Sequence, residues 1–151
     1  MQIREVRKND YKEIVAITKS LYRWFSKNGL RQIKYAFRKQ KGFVSIENHK
    51  VTGFIFYRKW KNTAVITWIG IGVNSRNKGI GKTLFRHVEK LVKKQNVKRI
   101  KISTLARTVK YKPYEETRKF WESCGFRTLR IDKNFYPFPS KDREVMIKEL
   151  K

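Results

Sequence analysis

At 151 residues the chain suits one domain, long enough to bury roughly 70% of the surface its unfolded form exposes. No apolar run approaches the ~20 residues of a membrane span, and no apolar segment opens the chain as a secretory leader would, so a soluble cytoplasmic protein is expected. A single cysteine, Cys124, excludes a disulfide framework and a cysteine-based metal site, and 38 Lys and Arg against 12 Asp and Glu leave a net charge of +26.

In chain order, residues 2–6 read as a strand. Asn9-Asp10 caps a helix running to Ser20, with Ile14, Ile17 and Leu21 on one face. Asn28-Gly29 sets off a second helix over residues 30–39. Residues 43–47 and 51–60 form a hairpin joined at Asn48-His49-Lys50, and the turn Lys61-Asn62-Thr63 leads into a central strand over residues 64–71. That strand is rich in β-branched and aromatic residues, as a buried strand should be. Beyond it Ile80, Leu84, Phe85, Val88, Leu91 and Val92 recur at helical spacing and form one apolar stripe. A strand over residues 98–105, a short helix before Gly125-Phe126, and strands over 127–133 and 143–148 around Pro137 and Pro139 complete the order β-α-α-β-β-β-α-β-α-β-β. The pattern is mixed α/β. No linker, repeat or low-complexity tract divides it, so residues 1–151 are expected to form a single domain.

Between the central strand and the long helix stands Arg76-Asn77-Lys78-Gly79-Ile80-Gly81-Lys82. The glycines let the backbone turn sharply and approach a ligand closely. The free amides of the first helical turn, backed by the helix dipole, then favour an anion, most naturally a phosphate. Two nucleotide motifs are excluded by the letters. A P-loop ending at Gly81-Lys82-Thr83 needs a glycine where Arg76 stands, and a dinucleotide fingerprint needs a third glycine where Leu84 stands.

About forty residues downstream comes a second motif, Thr117-Arg118-Lys119-Phe120-Trp121-Glu122-Ser123-Cys124-Gly125-Phe126. Together the two resemble the signature of the GNAT superfamily of acyl-CoA-dependent N-acetyltransferases: Arg/Gln-x-x-Gly-x-Gly/Ala after the fourth strand, then a short helix ending in Phe-Tyr-x-x-x-Gly-Phe. The close match runs from about residue 64 to 126. The resemblance implies a mostly antiparallel central sheet flanked by helices, the GNAT-like fold. It also implies direct transfer of an acetyl group from acetyl-CoA to a primary amine, without a covalent enzyme intermediate and without a metal.

In that family the fourth and fifth strands splay apart and the pantetheine arm lies in the gap. The resemblance therefore assigns the arm to the backbone of Ile69, Gly70 and Ile71. It assigns the pyrophosphate to the amides of Asn77, Lys78, Gly79, Ile80, Gly81 and Lys82, with charge from Arg76, Lys78 and Lys82 and a hydroxyl from Thr83. Trp24 and Phe25, between the first two helices, with Trp60 and Trp68, are candidates for an acceptor pocket. The family's thiolate-protonating tyrosine falls on Trp121, whose indole N–H is a donor but not an acid. Its usual glutamate bases fall on Val65 and Ser103.

A substitute acid is expected at Tyr114, where many family members carry an asparagine: a phenol among lysines has a lowered pKa and protonates a departing thiolate. Glu115 and Glu116 read as helix-start residues, His49 and His87 as structural, and Cys124 as a small buried hydrophobe. No spacing of His with other ligand types suggests a metal.

From Asn48 to Val88 there is no carboxylate, and such a field draws in the phosphates of coenzyme A. The basic residues are spread along the whole chain rather than gathered in a tail. Such a charge implies salt-sensitive association with polyanions, hence an acceptor that is anionic or is presented on an assembly such as RNA or a ribosome. A free polyamine is disfavoured unless Glu115, Glu116 and Asp132 line the pocket. The chain is expected to act as a monomer or homodimer. Two rival readings share the fold: an acyl-CoA sensor that has lost catalysis at Trp121, and a basic nucleic-acid-binding module.

Overall fold

The computed structural model describes residues 1–139 and 141–151. Its elements are β1 (Gln2–Glu5), a 3-10 turn (Lys8–Asp10), α1 (Tyr11–Ser20), α2 (Lys27–Lys39), β2 (Lys41–Glu47), β3 (Lys50–Trp60), β4 (Thr63–Ile71), a second 3-10 turn (Val73–Ser75), α3 (Ile80–Lys94), β5 (Arg99–Leu105), α4 (Lys112–Ser123), β6 (Arg127–Tyr136) and β7 (Lys141–Glu149). Seven strands form one sheet in the order β1-β2-β3-β4-β5-β7-β6. Every neighbouring pair is antiparallel except β4–β5.

The β2–β3 hairpin turns on Asn48 and His49, both at positive φ (50° and 63°), the conformation that matches the right-handed twist of the flanking strands. Three boundaries differ from the sequence reading. Helix α2 begins at Lys27, because the Ser26 hydroxyl accepts from Gly29 N at 3.4 Å and caps the helix, so Asn28-Gly29 lies inside its first turn. Helix α4 begins at Lys112 with Pro113 in its first turn, where a missing N–H loses nothing, so Tyr114 is itself a helical residue and Glu115 stands in the first turn. Strands β6 and β7 run to Tyr136 and from Lys141, longer than their apolar cores indicate.

Each face of the sheet carries its own core. On one, Ile80, Leu84, Phe85, Val88 and Val92 of α3 and Trp121 of α4 pack on Ile55, Ile66, Ile100, Ile102 and Met146. On the other, Ile14, Ile17 and Leu21 pack with Ile33 and Ala36 of α2 over Val44, Phe54 and Phe56. The five buried α3 side chains alone contribute on the order of 10 kcal/mol of transfer free energy before chain entropy is counted.

Two irregularities in the sheet place the site. First, β4 and β5 pair only at Thr63↔Arg99, Ala64↔Ile100 and Val65↔Lys101, and from there they part. Second, β4 bulges at Thr67, where the β3 register jumps from Phe56↔Trp68 to Tyr57↔Ile66. An extra residue reverses the alternation of side chains along a strand. Ala64, Ile66, Ile69 and Ile71 thus all pack with the α3–α4 core, while Trp68 packs with the α1–α2 core.

Candidate active site between the parted strands

Where β4 leaves β5 there is a cavity of about 230 Å³. Its walls come from both cores: Leu21, Phe25 and Trp68 from one, Ile66, Ile102 and Trp121 from the other. The gap therefore lies between the two cores, at the level of the sheet.

One end meets the start of α3. Gly79 takes the N-cap position at φ +77°, a left-handed conformation that a Cβ disfavours. The first bond closing the helix runs from Thr83 N to Gly79 O at 3.0 Å, so the amides of Ile80, Gly81 and Lys82 precede it. No acidic residue sits in this first turn. At Gly81 an added Cβ would stand 3.1 Å from Phe120 Cε1, so the close approach of α3 to α4 depends on glycine. The Ile80 side chain is buried in the core, leaving only its backbone for a ligand. Thr83 donates its hydroxyl to Gly79 O at 2.9 Å.

Of the residues expected to hold the donor, Ile69, Gly70, Ile71, Arg76 and Gly81 line the cavity, while Asn77, Lys78, Gly79, Ile80, Lys82 and Thr83 form the loop and helix start at its end. Arg76 does more than the sequence suggests. Its guanidinium lies 4.6 Å from the Trp24 ring centroid, which joins the glycine loop to the α1–α2 connector.

Of the aromatic residues expected around an acceptor, three are brought together, while Trp60 is exposed at the end of β3 and does not line the cavity. Trp24, Phe25 and Trp68 all line the cavity, with the Phe25 and Trp68 rings 5.0 Å apart. Three hydrogen bonds tie this connector to the start of α4: Trp24 Nε1 to Pro113 O at 3.1 Å, Tyr114 Oη to Trp24 O at 2.8 Å, and Tyr111 Oη to Arg23 O at 2.8 Å.

Tyr114 lines the cavity, but its pKa moves opposite to the expectation. Burial, with neighbouring Tyr136 and Tyr111 adding to it, pushes the phenol up to about 12. The adjacent Lys110 and Lys112 are exposed to solvent and do not lower it. The phenolic proton is committed to a main-chain carbonyl, so the side chain acts here as a strap between helices. Trp121 is 4% exposed and packs edge-on against Phe85, Phe120 and Phe126, with centroids 5.7, 4.9 and 5.1 Å away. It is both core and cavity wall.

The carboxylates sort differently from the sequence reading. Glu116 lines the cavity, but Glu115 does not, and Asp132 is bound to Arg130 and Arg143. Ser103 lines it too, and so does Thr104, which the sequence does not single out. Glu144 is also missed by the sequence. It is fully buried on β7 and accepts from Arg107 N, Nε and Nη2 and from Thr128 Oγ1. Burial pushes this carboxyl up, but those donors outweigh it and leave its pKa at about 2. The pair pins the segment after β5 against β7. Among the described residues no group of three or more His, Cys, Asp or Glu is placed to hold a metal, and no helix is long and apolar enough to cross a membrane.

A search of curated protein sequences finds no match. Solved structures match over nearly the whole chain. A Desulfovibrio desulfuricans protein assigned to the GNAT family superposes with a TM-score of 0.86 at 18% identity, covering 98% of both chains. The ribosomal-protein-S18-alanine N-acetyltransferase of Escherichia coli gives 0.78 at 18% identity, covering 98% of this chain and 92% of that one. A Bacillus subtilis acetyltransferase in complex with CoA gives 0.77 at 16% identity, covering 99% of both. Likenesses at such identity show the fold. The acetyltransferase (GNAT) family model matches residues 7–126, most of the chain, and spans the glycine loop, the parted strands and α4, so the chain belongs to the GNAT family of acetyltransferases.

Proposed function

We propose that the chain is an acetyl-CoA-dependent N-acetyltransferase acting on a primary amine, with residues 1–151 as one catalytic domain. The observation that carries this reading is the parting of β4 from β5 immediately after Val65↔Lys101, over a cavity that ends at the unpaired amides of α3. The residues present fit the coenzyme. The first turn of α3 and Arg76 offer donors and positive charge to a pyrophosphate. The edge of β4 at Ile69, Gly70 and Ile71, left without a neighbour by β5, offers main-chain groups to an extended arm as it would to another strand.

Acetyl-CoA supplies an activated acyl thioester. A main-chain amide of β4 polarises its carbonyl, and the Trp24, Phe25 and Trp68 side of the cavity admits the amine from the α1–α2 face. With the donor along β4 and the amine against the Trp24, Phe25 and Trp68 side, both reactants are held at once, and positioning supplies most of the rate. The net charge of +26 supports an acceptor presented on an anionic assembly.

One observation favours a second reading, an acyl-CoA sensor: the acid position is held by Trp121, packed in the core. Calorimetry with acetyl-CoA, followed by an assay of thiol release over a panel of polyamines, peptides and aminoglycosides, separates the readings. Binding with turnover supports the enzyme, and binding without turnover supports the sensor. No binding refutes both.

A further inference from the structure

Thr104 is 3% exposed, and its Oγ1 is the one buried side-chain polar atom among the described residues without a hydrogen-bond partner. Buried hydroxyls are almost always bonded, so an orphan carries an uncompensated desolvation penalty that a ligand atom can relieve. Its cross-strand neighbour does not relieve it. Thr104 stands opposite Glu144, whose oxygens are taken by Arg107 and Thr128.

The position of Thr104 narrows the choice of ligand atom. It lies three residues past Lys101, the last residue of β5 paired with β4, and with the bulge at Thr67 counted out the corresponding residue of β4 is Ile69, on the same face of the sheet. Strand alternation puts it on the same face as Ile100 and Ile102, the face of Trp121, with Ser103 directed to the other. An acyl-CoA anchored by its pyrophosphate at α3 and laid along β4 runs from Ile71 toward the closed end of the wedge. Its sulfur, the end of the arm farthest from the pyrophosphate, arrives near this level.

We propose that Thr104 Oγ1–H donates a hydrogen bond to the sulfur of the coenzyme, holding the thioester and then the leaving thiolate, in place of the tyrosine that Trp121 replaces. The inference rests on the acetyltransferase reading above. In the transfer the amine nitrogen bonds to the acyl carbon and the C–S bond breaks, its electron pair going to sulfur. The proton lost by the nitrogen reaches the sulfur through water. Thr104 keeps its own proton throughout, because an aliphatic hydroxyl does not ionise in this range, and acts by stabilising charge.

The test uses the full chain, as wild type, Thr104→Val and Thr104→Ser, with two probes: CoA, and desulfo-CoA, which lacks the sulfur. Calorimetry gives affinities, and ultraviolet absorbance of the bound thiolate against pH gives the pKa of the bound thiol. A charge-assisted hydrogen bond predicts that Thr104→Val binds the CoA thiolate about tenfold to a hundredfold more weakly, with the bound thiol's pKa about one to two units higher. Desulfo-CoA should bind wild type and Thr104→Val within about twofold, and Thr104→Ser should resemble wild type, as one hydrogen bond to sulfur requires. The free Thr104→Val protein should melt at or above the wild-type temperature, since it exchanges an unpaired hydroxyl for a methyl of the same shape.

Equal loss of both probes in Thr104→Val, or no loss of either, overturns the inference alone. So does a lowered melting temperature in the free variant, which would mean the hydroxyl already has a partner within the protein. Failure of wild type to bind either probe overturns the acetyltransferase reading, and this inference with it.

Discussion

Gly79 and Gly81 stand two residues apart at the start of α3, yet the structure predicts opposite consequences for replacing them by alanine. At Gly79 an added Cβ meets nothing within 4 Å, but the backbone sits at φ +77°. Holding an L-residue there costs about 1–2 kcal/mol. For a chain of this size that lowers the melting temperature by roughly 2–8 °C. At Gly81 the backbone is helical, and alanine gains about 1 kcal/mol of helix propensity. Against that gain the new Cβ lies 3.1 and 3.2 Å from Phe120 Cε1 and Cζ, tight enough to push the ring. Gly81→Ala should therefore melt within a few degrees of wild type. Its effect falls on the cavity, since Phe120 and Gly81 both line it and the amide of residue 81 belongs to the first turn of α3, the proposed pyrophosphate site. Alanine keeps the amide N–H, but a Cβ that displaces Phe120 and holds the phosphate off that amide weakens acetyl-CoA binding about tenfold to a hundredfold, the worth of one charge-assisted hydrogen bond. Differential scanning calorimetry and titration calorimetry on the two variants give both quantities. Wild-type affinity in Gly81→Ala and in the bulkier Gly81→Val would refute the placement of the pyrophosphate at α3.

Tyr114→Phe removes the hydrogen bond to Trp24 O and should cost about 1 kcal/mol of stability. With the phenol's pKa near 12, the pH profile of kcat should show no tyrosine ionisation below that value, and a limb near 10 that vanishes in the variant would restore Tyr114 as an acid. Glu144 has its pKa held at about 2 against an ordinary 4.5, so its contribution is present above pH 4.5 and is lost as pH falls toward 2. At 1.36 kcal/mol per unit its share of the loss is about 3 kcal/mol, read as the amount by which the drop in urea-unfolding stability across that window is smaller in Glu144→Gln, where Asp10, Asp132 and Asp142, also held below their ordinary range, still titrate. For an acceptor on an anionic assembly, kcat/KM should fall steeply with added salt, whereas a flat profile would show the +26 charge to be a bystander of composition.

Much of this protein was decided locally, and local physics is what a sequence exposes. The α3 stripe is legible because 3.6-residue periodicity on a long helix needs no knowledge of its partner, and Ile80, Leu84, Phe85, Val88 and Val92 are buried as the spacing requires. The glycine loop and the Gly125-Phe126 motif mark the family because backbone turns demand particular residues at fixed spacing. The β4–β5 gap was expected from the resemblance alone, since nothing in residues 99–105 says that pairing stops at Lys101.

What the letters did not decide arises between elements distant in sequence. The bulge at Thr67 is a register mismatch between two strands, and it alone puts Ile66 and Ile69 on one face of the sheet. The pKa of Tyr114 follows from burial beneath a connector ninety residues earlier, so counting lysines nearby in sequence gave the wrong direction. Thr104 looks like an ordinary strand residue until the sheet parts beside it. Its hydroxyl is left without a partner because Glu144 opposite it is taken by Arg107 and Thr128, and only the folded chain shows that.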